Sequence, residues 1–193
     1  MTVYVVSGWM RSGTSMMMRA LEAGGMDACY RQSRDEMKNR FADEHYDPNI
    51  GGLYELERKD YRDPEFPRMY DGKLIKCLRM GLGRMRVMDS IKVVFMRRDP
   101  EEQRQSYMGF FGGTPPTVEQ IQKQVTESLE AAYNRRDTSV LELDYPCVIS
   151  NPAQSLERVQ AFFGVDLDIH AAASTIDPVY YRYRKEELEV GVV

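Results

Sequence analysis

The 193-residue sequence has few cysteines, no long apolar run and no excess of positive charge. Its three cysteines are far apart, lack metal-ligand spacing and are odd in number, which argues against a metal centre or a disulfide framework. No stretch approaches the roughly 20 apolar residues of a membrane span, and no signal peptide is recognisable. A net charge of −4 excludes a global basic field of the kind that binds nucleic acid. We therefore expect one cytoplasmic, reduced domain over residues 1–193, with no membrane or nucleic-acid partner.

Short apolar segments alternate with helical patterns along the chain, which is typical of a parallel sheet with helices on its faces. Strands are predicted at residues 3–7, 73–78, 91–96 and 139–143. Helices are predicted at residues 15–23, 83–89, 101–110, 117–134 and 152–163. The sequence thus predicts an α/β fold with three layers (α, β and α) around a central, mainly parallel sheet.

The segment from about residue 30 to residue 70 differs from the rest of the chain. It is dense in charge, contains Pro48, Pro64 and Pro67, and shows no clear period. We expect short helices and long loops that cover a ligand cleft, since loops on a rigid sheet often supply substrate contacts.

A glycine-bearing loop follows the first predicted strand and precedes the first predicted helix. This arrangement turns backbone N–H groups toward a phosphate at a helix N-terminus. With Gly8, Gly13 and Ser15, the loop nearly matches the Walker A pattern G-x-x-x-x-G-K-[ST]. However, Thr14 occupies the lysine position, and Arg11 is the cation that the loop contains. The loop therefore predicts a phosphate-like ligand without the lysine that nucleotide triphosphatases place on the β- and γ-phosphates.

A second anion site is predicted where the strand at residues 91–96 ends. Arg97 and Arg98 follow this strand directly, and Ser106 lies in the next predicted helix. Because ligands of open α/β sheets bind at the carboxyl ends of the strands, this strand end and the loop should face one crevice. Alternatively, the two arginines are a solvated surface pair.

These residues resemble the motifs of sulfotransferases that use 3′-phosphoadenosine-5′-phosphosulfate (PAPS). Residues 11–15, Arg-Ser-Gly-Thr-Ser, match the family's loop [KR]-S-G-T-[ST] at every position. Arg98 and Pro100, with Ser106 eight positions after the arginine, are similar to a second motif. Tyr145, followed by a proline seven positions later and a helix ending in Phe-Phe-Gly, is similar to a third. The resemblance implies the P-loop-like fold of these enzymes.

The resemblance also implies a set of donor-binding residues: Arg11, Ser12, Gly13, Thr14, Ser15, Arg98, Ser106 and Tyr145. Arg11 would stabilise the charge that builds on the bridging phosphate oxygen when the sulfuryl group leaves, without any metal ion. Residues 13–15 would bind the 5′-phosphate, and Arg98 and Ser106 would hold the 3′-phosphate. The implied reaction transfers a sulfuryl group from PAPS to a hydroxyl or amine of a small-molecule, glycan or peptide acceptor and leaves 3′,5′-ADP (PAP) as the product.

The acceptor must lose a proton, so a general base is expected beside it. Glu55 is the first candidate, and His45 in the cleft-covering segment is the second. Lys76, at the end of the second predicted strand, would contact the sulfuryl group or the acceptor; alternatively, it is an edge-strand lysine that blocks aggregation.

One departure from the family lies in the C-terminal segment, and two other functions stay open. The family's glycine-rich C-terminal segment for the 3′-phosphate has no match, and Arg182, Arg184 and Lys185 either replace it or form a solvated helix face. The alternatives are a P-loop kinase of a small metabolite or nucleotide, and a non-catalytic nucleotide-binding module.

Overall fold

The computed structural model describes residues 1–31 and 52–184 of the chain. In these ranges, five parallel strands form one sheet in the order β2-β3-β1-β4-β5. The strands are β1 (Thr2–Gly8), β2 (Ala28–Cys29), β3 (Leu74–Lys76), β4 (Ser90–Arg97) and β5 (Thr138–Asp144). The α/β prediction is confirmed, with β2 as an additional edge strand.

Helices occupy the segments between and after these strands. They are α1 (Thr14–Ala23), α2 (Phe66–Met69), α3 (Pro100–Phe111), α4 (Val118–Tyr133), α5 (Tyr145–Ser150), α6 (Pro152–Phe163) and α7 (Ile169–Ser174). Short 3₁₀ turns lie at Asp60–Arg62, Arg79–Arg84 and Pro178–Tyr180. None of the helices in the described ranges has the length and apolar character that crossing a membrane would need.

Local sequence explains where the helices flanking the site begin. The Asp99 carboxylate caps α3 by accepting hydrogen bonds from the N–H groups of Glu101 and Glu102, and a proline follows at the first helical position. Thr117 and Gln120 form a capping box at the start of α4, because each side chain bonds the other's backbone N–H.

The helix predicted at residues 83–89 is wrong. The chain forms a 3₁₀ turn that ends at Arg84 and then continues without helical structure to β4. Two glycines weaken helix formation here, and Arg135 donates hydrogen bonds to the carbonyl oxygens of Leu82 and Met85. A side chain from elsewhere in the sequence therefore satisfies carbonyls that a helix would otherwise pair.

The hydrophobic core lies on both faces of the sheet. Along β4, Ile91, Val93 and Phe95 pack on one face, whereas Val94 and Met96 pack on the other. Strands buried on both faces appear as continuous apolar runs, and this explains why their positions could be predicted from the sequence. The three-layer arrangement follows directly from this double burial.

All parallel strands end at one edge of the sheet, and Gly13 and Tyr145 meet there. Gly13 has φ +90° just before α1, in the left-handed region that favours glycine. A Cβ atom on Gly13 would lie 2.4 Å from the Tyr145 ring. The loop after β1 and the start of α5 therefore pack together only because residue 13 has no side chain.

Replacing this glycine should destabilise the protein. Gly13→Ala combines an unfavourable φ with a clash against a buried ring, so we expect the free energy of unfolding to fall by about 2–4 kcal/mol. Gly113→Ala is the control, because φ is not positive at Gly113 and a Cβ there would meet nothing within 4 Å. Urea unfolding of both variants measures the difference. Equal stabilities of the two variants would contradict the packing described here.

Candidate functional site

A cavity lies at the carboxyl ends of the strands. Its wall is built by the loop after β1, the ends of β3 and β4, helix α3, and residues from two further segments, 53–55 and 175–183. The predicted site residues in its wall are Arg11, Gly13, Thr14, Ser15, Glu55, Lys76, Arg98, Ser106 and Tyr145. Ser12 is fully buried outside the cavity wall, and its hydroxyl has no hydrogen-bond partner in the described part of the chain. His45 lies outside the described residues.

Arg11 connects the loop to helix α3. Its Nε donates a hydrogen bond of 3.0 Å to the Ser106 hydroxyl oxygen, and its guanidinium lies 4.6 Å from the centre of the Phe110 ring. The backbone of Arg11 is left-handed, with φ +67°. Two residues predicted to bind different phosphates of the donor therefore contact each other directly.

Arg98 is nearly buried and holds three parts of the site together. Its Nε donates to Glu102 (2.8 Å), its Nη1 to the carbonyl oxygen of Arg11 (3.2 Å) and its Nη2 to that of Arg182 (2.6 Å). The Arg98 and Glu102 side chains are only 5% and 4% exposed. Since a guanidinium has five N–H donors, one N–H on each terminal nitrogen donates no hydrogen bond within residues 1–31 and 52–184, and Arg98 lies in the cavity wall.

The residues around 181–183 pack against helix α3. The Tyr181 hydroxyl donates a hydrogen bond of 2.9 Å to Glu102, and Tyr183 lies so close to Gly109 that a Cβ there would meet its hydroxyl at 2.3 Å. Burial, and then the bond to Glu102, raise the pKa of Tyr181, so the phenol stays protonated and remains a donor. Residues 182–184 are not helical, and Arg182 lies in the cavity wall.

Lys76 supplies a second positive charge, close to the N-terminus of α1. Its ammonium lies 3.0 Å from the Ser15 hydroxyl oxygen and 3.7 Å from a Glu55 carboxylate oxygen, and the side chain is 3% exposed. Its own carbonyl oxygen accepts a 2.6 Å hydrogen bond from the Tyr61 hydroxyl. The lysine is therefore held at both its backbone and its charged end.

Glu55 is positioned by backbone contacts on two sides. It forms an isolated parallel bridge with Lys76, which extends the sheet edge by one residue pair. Its carbonyl oxygen accepts a 3.0 Å hydrogen bond from the Arg31 N–H. The Arg31 guanidinium also forms a hydrogen-bonded ion pair with the buried Asp60 carboxylate. The hydrogen bond from Arg31 lowers the pKa of Asp60. Glu55 and Lys76, predicted as separate catalytic candidates, are thus neighbours in one cavity.

Some contributors to the site were missed in the sequence. Glu102 binds both Arg98 and Tyr181, and Phe110 lies against Arg11. The spacing of Arg98 and Glu102, four residues apart at the start of a helix, is a recognisable signal for an ion pair. Nothing in the sequence around Tyr181 indicates its distant partner.

The chain matches no protein-family model and no curated protein. Among solved structures it is similar to the sulfotransferase domain of the Synechococcus PCC 7002 olefin synthase, with 14% identity and a TM-score of 0.53 over 98% of this chain and 82% of that one. It is also similar to a sulfotransferase from Alicyclobacillus acidocaldarius, with 18% identity and a TM-score of 0.52 over 100% of this chain and 91% of that one. An unliganded sugar kinase from Janibacter sp. HTCC2649 shares 17% identity over 86% of this chain and 96% of its own, with a TM-score of 0.48. Identities this low establish the fold alone, and the kinase score is too low to support an argument.

The buried ion pair gives a direct test of the site's construction. In Glu102→Gln the amide leaves the Arg98 guanidinium without its counter-charge, so we expect a loss of about 3 kcal/mol in the free energy of unfolding. The neighbouring Glu101→Gln is the matched control, because Glu101 pairs with Arg104 where both side chains are about a third exposed, and its loss should stay below about 1 kcal/mol. Urea unfolding of the two variants gives the comparison. A similar small loss in both would show that the Arg98–Glu102 pair does not hold the site together.

Proposed function

We propose that this protein transfers a sulfuryl group from PAPS to a hydroxyl or amine of an acceptor. The observation that carries the proposal is the arrangement of cations around one cavity. Lys76 lies beside Ser15 at the N-terminus of α1, while Arg98 and Arg182 lie on the side formed by β4, α3 and the chain's last described residues. A donor with a 5′-phosphosulfate and a separate 3′-phosphate needs two such anion sites.

The donor's reactive end would lie at the N-terminus of α1. There the first N–H groups of the helix have no intrahelical acceptor and the helix dipole favours negative charge. When the acceptor oxygen or nitrogen bonds to sulfur, the bond from sulfur to the bridging oxygen breaks and its electron pair stays on the 5′-phosphate. Arg11 and Lys76 would stabilise this developing charge.

Glu55 would accept the proton that the acceptor loses. Its carboxylate lies in the same cavity, 3.7 Å from the Lys76 ammonium, which itself reaches the Ser15 hydroxyl. Lys76 therefore lies between the base and the phosphate-binding loop. A side chain that contacts the sulfuryl group during transfer needs such a position.

The contact between Arg11 and Ser106 has a consequence for donor binding. The Arg11 Nε–H donates to the Ser106 hydroxyl oxygen, and a phosphate oxygen of the donor would replace that oxygen as the acceptor, while the Ser106 O–H would donate to the 3′-phosphate. A charge-assisted bond to phosphate is stronger than a bond to a hydroxyl, so the exchange favours the donor complex.

The donor proposal predicts a preference for 3′,5′-ADP. At about 100 times its Kd, 3′,5′-ADP should stabilise the fold by about 2.7 kcal/mol, a shift of about 5–10 °C in Tm, with or without magnesium. ADP should give a much smaller shift at the same concentration. Differential scanning fluorimetry with 3′,5′-ADP, ADP and ATP measures these shifts. Stronger stabilisation by Mg-ATP would favour a kinase and overturn the proposal.

A variant pair tests the 3′-phosphate assignment within the same assay. Ser106→Ala should weaken 3′,5′-ADP binding by about tenfold, the effect of one hydrogen bond to a charged group, and leave ADP binding almost unchanged. Ser150→Ala is the control, because Ser150 is an exposed serine at the end of α5. An equal loss for both nucleotides in Ser106→Ala would place that serine away from the 3′-phosphate.

The base assignment predicts a selective loss of turnover. Glu55→Gln should lower kcat for sulfuryl transfer to phenol, which is protonated at neutral pH, by about 10²–10⁴-fold, because the amide cannot accept the proton. Its affinity for 3′,5′-ADP should match that of the unmodified protein. Glu57→Gln is the control, since Glu57 is two residues away and pairs with Lys59 outside the cavity wall. An unchanged kcat in Glu55→Gln would exclude this residue as the base.

A further inference from the structure

Arg19 is a cavity-wall cation to which the proposed donor chemistry gives no role. It lies in α1, one turn after Ser15, and is half-buried. Within residues 1–31 and 52–184, the guanidinium of Arg19 has neither a hydrogen bond nor an ion pair. A half-buried arginine with no ion pair can bind an anionic group that enters the cavity.

Arg19 lies on the side of the cavity that carries Glu55. Residues four apart share one face of a helix, so Arg19 and Ser15 point the same way. The Ser15 hydroxyl faces the Leu53 carbonyl oxygen at 3.5 Å. The positive charge of Arg19 is close enough to Tyr54 to act against the other groups that raise the pKa of its phenol. Arg19 therefore lies near residues 53–55.

In the described ranges, neither Glu22 nor Glu55 forms an ion pair with Arg19. Glu22 is three residues further along the helix, a spacing at which ion pairs form readily. Its carboxylate instead faces the Tyr54 hydroxyl, and burial together with Glu22 raises the pKa of that phenol, so Tyr54 stays uncharged. Glu55 is 3.7 Å from the Lys76 ammonium.

The cavity that Arg19 and Glu55 line also has apolar side chains in its wall. These include Met16, Leu53 and Leu78. An acceptor bound here would place an apolar body against these side chains, its nucleophile at the carboxylate and a second group at the guanidinium.

We propose that Arg19 binds an oxyanion of the acceptor, so that the substrate is a small hydroxyl or amino compound carrying a carboxylate or phosphate-type group. This inference rests on the proposed sulfuryl transfer. A planar guanidinium binds carboxylate and phosphate oxygens in pairs, which gives both affinity and orientation. Arg19 then determines acceptor specificity, while Glu55 and Lys76 perform the chemistry.

Calorimetric titration of protein saturated with 3′,5′-ADP tests this inference. The probes are 4-hydroxyphenylacetate, 4-hydroxybenzylphosphonate and the neutral 4-hydroxyphenylacetamide. We expect at least one anionic probe to bind about tenfold or more tightly than the amide, since a hydrogen bond to a charged group contributes on this scale. Whether carboxylate or phosphonate binds more tightly identifies the acceptor's anionic group.

Three variants separate this role from a structural one. Arg19→Gln should remove the preference for the anionic probe, and Arg19→Lys should keep part of it. Arg158→Gln should keep it fully, because Arg158 is an exposed arginine of α6 outside the cavity wall. Binding of 3′,5′-ADP should be the same in all of them.

Each other outcome overturns the inference. It fails if the probes bind equally or not at all, or if Arg19→Gln keeps the preference. It also fails if Arg19→Gln weakens 3′,5′-ADP binding, because Arg19 would then serve the donor. If 3′,5′-ADP does not bind the unmodified protein, the proposed function fails separately, and the same titrations without nucleotide still decide whether Arg19 selects an anion.

Discussion

The buried contact between Arg98 and Glu102 is the interaction on which the candidate site depends. Burying two charges costs several kcal/mol in desolvation, which is recovered only when both charges are well hydrogen-bonded. Here the guanidinium also binds the carbonyl oxygens of Arg11 and Arg182, and the carboxylate accepts a further bond from Tyr181. One ion pair thus joins the loop after β1, helix α3 and the chain near residue 182, which are far apart in sequence.

The position of the second cation follows from the order of the sheet. Because β3 lies next to β1, the last residue of β3 ends beside the loop that follows β1. Lys76 therefore places its ammonium 3.0 Å from the Ser15 hydroxyl, although Thr14 occupies the position of the Walker lysine. The positive charge beside Ser15 therefore comes from a neighbouring strand, in addition to Arg11 in the loop. From this position the Lys76 ammonium also lies 3.7 Å from a Glu55 carboxylate oxygen.

Those parts of the fold that depend on local pattern could be predicted from the sequence. The buried strands, the capping box at Thr117 and the loop around Gly13 each follow from residues that are close together. Strand β2 could not be predicted, because two residues carry no periodic signal. The irregular path after Arg84 could not be predicted either, since the carbonyl oxygens of Met85 and Arg86 are bound by Arg135, about 50 residues away. In the same way, the approach of Glu55 to Lys76 depends on pairing at the sheet edge that no local motif encodes.

The left-handed backbone of Arg11 connects the fold to the proposed chemistry. A residue with a side chain at φ +67° costs of order 1 kcal/mol, and it persists only where surrounding contacts compensate. The compensation is visible, because the Arg11 carbonyl oxygen accepts from Arg98 and its side chain binds Ser106. A glycine would adopt this backbone without strain but would provide no cation. An arginine with a strained backbone, where glycine would be unstrained, therefore supports a functional role for the Arg11 guanidinium. Arg98, which pairs with Glu102 of α3, also stabilises the left-handed backbone of Arg11 through its bond to the Arg11 carbonyl oxygen.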